Sequence, residues 1–60
     1  MRLDEIINLK QRVESAGKAI YHAQIHNPGA PAHIKALLDL ADTVLERVLD
    51  HIDKLEPEDL

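Results

Sequence analysis

The chain contains no cysteine, tryptophan or phenylalanine, and its 60 residues include one tyrosine, two glycines and three prolines. Without thiols, disulfides and thiolate metal sites are excluded. Without large aromatic rings, a core must be built from Leu, Ile, Val and Ala, which suits helices packed side by side. No apolar run exceeds three residues, far below the roughly 20 that a membrane-spanning helix needs. The first residues lack the basic region and apolar segment of a secretory leader, so a cytoplasmic location is expected. No glycine-rich phosphate loop and no cysteine nucleophile are present, and Ser15 is the only serine. A catalytic constellation is therefore not expected, and neither is a cofactor.

A chain this short buries only roughly 60% of its unfolded surface, which makes an isolated monomer marginal. With no disulfide to compensate, the expected remedy is association, either with a copy of itself or with a partner. The net charge of −4 is unevenly spread. Residues 1–30 carry Arg2, Lys10, Arg12 and Lys18 against Asp4, Glu5 and Glu14, a balance of +1; residues 31–60 carry three basic and eight acidic residues, a balance of −5. The acidic half would repel a phosphate backbone, so nucleic acid is disfavoured as a partner.

What is present is helical periodicity. From Leu3 to about His26, a heptad frame places Ile6, Leu9, Val13, Ala16, Ile20 and Ala23 on one seam. Asp4 and Glu5 stand in the first turn, where carboxylates complement the helix dipole. The stretch HNPGAPAH then interrupts the pattern: Pro28 disfavours a helical Asn27, Gly29 allows a tight reversal, and Pro31 suits the first position of a new helix. From residue 31 to about residue 55 a wider stripe resumes with Ile34, Leu37, Leu38, Ala41, Val44, Leu45, Val48, Ile52 and Leu55. Such width predicts a helix that faces more than one neighbour.

The expected fold is thus all-α, an antiparallel helical hairpin with helices over about 3–26 and 31–55 and a turn at 27–30. Matched arms and a broad apolar face predict completion as a homodimeric four-helix bundle. The domain is expected to span 1–60, with a frayed acidic tail over 56–60. Ala16, Gly17, Ala19 and Ala23 thin the end of the first helix where the bulky Ile34, Leu37 and Leu38 stand opposite, so Leu at Ala16 or Ala23 is expected to overpack the seam.

Four groups of residues are candidates for function. His22 and His26 share a helix face at the spacing that chelates zinc, and His33 beyond the turn offers a third ligand. The zinc-protease glutamate is absent from HAQIH and no thiolate is available, so solvated histidines remain the simpler reading. His51 falls within the second stripe, where a titrating imidazole would form a pH switch or rest at the wet end of a bundle. Asp39, Asp42, Glu46, Asp50 and Asp53 draw a continuous acidic row along the second helix, fit either to dock a basic protein or to keep a small aliphatic bundle soluble. Ile7, Tyr21, Ile25, Leu40 and Leu49 lie outside the seams, with Tyr21 the best single anchor.

The leading expectation is a small non-catalytic interaction or regulatory protein that presents the acidic row and Tyr21 to a macromolecular partner. One alternative is a histidine metal or ligand site at a subunit interface. In general shape the hairpin resembles small plasmid, phage and bacterial regulators, and a second alternative is a Rop-like RNA binder using Lys10, Arg12 and Lys18. At positions flanking the seam, pairing with acids of a neighbouring helix is the commoner use of Lys10 and Arg12.

Overall fold

A computed structural model describes residues 1–58 as two helices packed against each other, α1 (Leu3–His26) and α2 (Ala32–Asp53), with no strand among the described residues. At about 1.5 Å per residue the arms run roughly 36 and 33 Å. The five-residue connection forces them antiparallel. The result is a ribbon of 51 × 16 × 10 Å over the Cα atoms, with two broad sides.

The ends of the helices follow from local chemistry. At the start of α1 the Arg2 amide donates to Glu5 Oε1 at 3.0 Å, so one amide that the helix cannot satisfy finds an acceptor. At its end Asn27 Nδ2 donates to the Ala23 carbonyl at 2.8 Å. The Ala30 amide closes the turn on the Asn27 carbonyl at 3.1 Å. Pro28 supplies a fixed φ inside that turn, and no residue in it has a positive φ, so the reversal is of a kind that does not depend on glycine.

Pro31 stands one place outside the position expected from the sequence. With ψ near 150° it is the cap residue rather than the first helical one, and its carbonyl accepts from both Ile34 and Lys35 at 3.0 Å. The proline fixes φ for entry, while its extended ψ turns the chain out of the connection. At the other end α2 stops two residues short of the expected limit. The Lys54 amide reaches back to the His51 carbonyl at 3.3 Å and Leu55 to Ile52 at 3.0 Å, a tightened final turn before Pro57. Of the acidic tail expected over 56–60, residues 59–60 lie outside the described residues. Glu58 donates its amide to the Met1 carbonyl at 2.9 Å and pairs its carboxylate with the Met1 ammonium at 3.0 Å.

The seam between the helices is narrow. Only Ile6 and Ile52, 8% and 4% exposed, are buried among the described residues, and both lie toward the open end of the hairpin. Half-covered Leu9, Val13, Ile20 and Ala23 continue it on α1, with Lys10, Gly17 and Gln24; Leu38, Ala41, Asp42, Leu45, Val48 and Leu49 continue it on α2. The facing stripe of α1 is therefore rotated from the heptad expectation: Ala16 is exposed, while Lys10, Gly17 and Gln24 turn inward. On α2 Leu49 joins the seam, whereas Ile34, Leu37 and Val44 are left on an exposed flank, and Leu55 beyond the helix is exposed as well. One neighbouring helix covers only part of a wide stripe, and the rest stays in water. Leucine at Ala16 would accordingly not clash within the hairpin.

Neither glycine is required by this backbone. A Cβ at Gly17 or at Gly29 meets nothing within 4 Å. Gly17→Ala is expected to raise stability by about 1 kcal/mol, because glycine inside a helix is costly relative to alanine. Gly29→Ala should add about 0.4–1 kcal/mol by restricting the unfolded chain. Urea unfolding followed by circular dichroism measures both, and a loss of stability in either variant would contradict this backbone reading.

Candidate interaction surfaces

Two cross-helix contacts set the register and divide the ribbon into two unlike sides. Gln24 Nε2 donates to Asp39 Oδ1 at 2.8 Å near the turn, and Lys10 Nζ pairs with Asp53 Oδ1 at 2.8 Å near the open end. Both pairs fix the same level matching, which puts Tyr21 across from Asp42 and Gly17 across from Glu46. At roughly 100° per residue, Lys10, Gln24, Asp39 and Asp53 fall on the same flank of their helices. That flank defines the acidic side. The surface depressions at the turn agree, since Gln24, Lys35 and Asp39 line one of them and Ala23, His26 and Ile34 line the other, with Leu38 at the rim of both.

The acidic row expected from the sequence is continuous along α2, and its members differ in how they are held. Asp39 and Asp53 at its ends are tied to α1. Asp42, Glu46 and Asp50 between them have no hydrogen-bond or ion-pair partner among the described residues. They recur every four residues, a spacing at which like charges on a helix repel. Tyr21, 59% exposed, stands on the same side at the level of Asp42, and Ile25 extends the apolar patch toward the turn. The row and Tyr21 lie on different helices, so the sequence alone does not place them together. The antiparallel register joins them into one face.

Near the open end of this side Leu3 and Ile7 are also exposed. Between the two apolar ends lie Glu14 and Gly17, with open space where a Gly17 side chain would be. The acidic side thus carries carboxylates along one edge, open space at Gly17 and a single tyrosine ring.

The opposite side is chemically different. α2 contributes Ile34, Leu37, Ala41, Val44 and Val48 to it, with no charged residue among them, and α1 contributes Leu9, Ala16, Ala19 and Ala23. Glu5 and Arg12 are the charged residues at its α1 edge. The sequence showed the apolar stripe as too wide for one partner; it did not show that the surplus gathers on the side without acid.

The histidines are only partly brought together. His22 and His26 are exposed with ring centroids 6.0 Å apart, and Tyr21 meets His22 edge-on at 6.2 Å. His33, also exposed, does not join them: no set of three or more His, Cys, Asp or Glu side chains among the described residues converges on a common point. His51 is exposed on the outer flank of α2 rather than within its seam, because the seam passes through Val48, Leu49 and Ile52. The basic residues of α1 do not converge either. Lys10 is engaged by Asp53 on the acidic side, Arg12 donates from the other flank to Asn8 Oδ1 at 2.9 Å, and Lys18 projects from the outer surface. No helix among the described residues is long and apolar enough to cross a membrane.

Compared with protein-family models, curated proteins and solved structures, the chain matches none of them.

The Lys10 ammonium is held above its ordinary value of 10.5, first by its hydrogen bond to Asp53 and then by the carboxylate charge. A raised folded pKa means a contribution present below the unfolded value and lost as pH climbs through the folded one. The stability difference between the native chain and Lys10→Gln is therefore expected to hold from neutral pH to about pH 10 and to shrink above it. Urea melts of both proteins between pH 7 and 11.5 measure it. A difference unchanged at pH 11.5 would rule out the ion pair as its source.

Proposed function

We propose that this chain is a non-catalytic interaction protein, a self-associating helical hairpin that docks a basic segment of another protein on its acidic side and acts in regulation through that contact. The observation that carries the reading is the unpaired middle of the row. Asp42, Glu46 and Asp50 repel one another at a cost to α2 that a cationic partner would relieve. Their alignment beside Tyr21 adds an anchor to the charge. A tyrosine face attracts lysine and arginine side chains, and a single exposed ring among carboxylates is the kind of residue on which binding energy concentrates.

The scant core supports the self-association half of the reading. Two buried residues among those described are few for a chain that must offset the conformational entropy of folding. A copy of the same chain supplies the missing cover most simply, as a four-helix bundle. The absence of charge convergence on α1 gives the RNA alternative no comparable support, and the two-histidine arrangement gives none to a metal site of three or more ligands.

The test uses a fluorescently labelled lysine- and arginine-rich peptide as the probe, titrated by anisotropy at two salt concentrations. Binding is expected, weakening as salt rises because the attraction is between exposed charges. Joint replacement D42K/E46K/D50K should cut affinity at least about 10-fold, and Tyr21→Ala by a similar factor, one expected for an interface anchor. Melting of the charge-reversed protein should not fall. Retained binding by that variant would eliminate the acidic side as the docking surface.

A further inference from the structure

Resting on the self-association proposed above, we infer which side of the ribbon a second copy covers and which way round it lies. The occupant of the apolar side is another copy of this chain, related by a two-fold axis along the length of the ribbon. α1 of each copy lies on α2 of the other, and both turns sit at the same end.

Two observations carry the choice of side, and a third fits a second copy to it. The first is the apolar flank itself, with Leu37 59% and Val44 50% exposed beside Ile34 and Val48. The second is charge. Two copies with the same net charge of −4 can approach most cheaply by the side that carries no acidic row, and α2 places no charged residue among its apolar residues there. The third is area. A plan of 51 by 16 Å offers roughly 800 Å² on each broad side, which matches the amount each partner contributes to a standard stable interface.

Orientation follows from side-chain size. On the apolar side α1 offers small residues toward the turn, Ala16, Ala19 and Ala23, while α2 offers large ones, Leu37, Val44 and Val48. The register fixed by Lys10 with Asp53 and Gln24 with Asp39 puts Ala19 at the level of Val44 and Ala23 between the levels of Leu37 and Val44. With the turns at the same end, each copy's bulky α2 residues meet the other's alanines, large against small at both contacts. Turning one copy end for end would instead set α2 on α2 and α1 on α1, crowding one pair of helices and leaving a gap between the other. Interiors packed to crystal-like density disfavour that wedge.

The test has two parts and uses the full chain. Sedimentation equilibrium of Leu37→Glu, a change that enters a two-fold interface twice, is expected to raise the dimer dissociation constant by at least about 30-fold, the loss typical of an interface anchor. Ile25→Glu, on the acidic side, should leave it unchanged. Dissociation by Ile25→Glu with none by Leu37→Glu would place the contact on the wrong side and overturn the inference, as would a native protein that sediments as a monomer. Because the chain has no cysteine, Gly29→Cys gives a single labelling point at the turn, where added bulk meets open space. A spin-label distance well under half the 51 Å length is expected between copies. A distance near the full length would show the copies lying end for end and overturn the orientation. Peptide binding on the acidic side can survive either failure, so loss of this inference is distinguishable from loss of the docking surface.

Discussion

Two helices share one seam, and the width of that seam limits everything else in this molecule. A helix facing a single neighbour covers a stripe of about two residues in every two turns, yet α2 carries apolar residues over a wider arc. The hairpin covers Leu38, Leu45, Leu49 and Ile52 at least in part and leaves Leu37 and Val44 in water. Exposed apolar residues scattered singly are ordinary on any protein. Here they fall on one flank with no charge between them, which makes the flank a surface in its own right.

Charge is segregated by the same geometry. Since Lys10 and Gln24 reach across to Asp53 and Asp39, they set the axial register and also determine which edge of α2 is acidic relative to α1. Neither contact need be strong to do this. An exposed ion pair contributes little to stability, but a pair at each end of a two-helix ribbon discriminates against sliding by a turn. The outcome is a ribbon with one side suited to cations and one suited to hydrocarbon. Docking of a basic segment and pairing with a second copy therefore make no competing demand on the same residues.

The helices themselves were legible in the sequence because their punctuation is strong. Pro28 and Asn27 end α1 where periodicity said it should end, and Pro57 limits α2. Pro31 is displaced by one place because its ring fixes φ alone and leaves ψ free to be extended. Less legible was the part of each stripe that meets the other helix. A heptad frame ranks residues by hydrophobicity, and so it chose Ala16 over Lys10 and Gln24. The actual seam admits a lysine stem and a glutamine at its margin, where a long side chain can lie along apolar surface with its polar end free. His51 was misplaced for the same reason, since one rotation of the frame moves it from seam to outer flank. The acidic row could be read directly, as every member lies on one helix. Its union with Tyr21 could not, because that depends on the level at which two separate segments meet.

α2 lies at the junction of both proposed contacts, and this has an energetic consequence. Its N-terminus has no side-chain cap and no acidic residue in the first turn, so two local sources of helix stability are missing. Repulsion among Asp42, Glu46 and Asp50 weakens it further. A cation bound along the row would remove that repulsion, and a second copy over Leu37 and Val44 would add the packing that gives helices in proteins most of their stability. Each contact would then favour the other through the ordering of one helix, without any residue touching both partners, since whatever binds the folded form stabilises it against the unfolded one. α1 has less to gain. Its start is closed by Glu5 and its end by Asn27, so it can act as the fixed arm against which α2 is held.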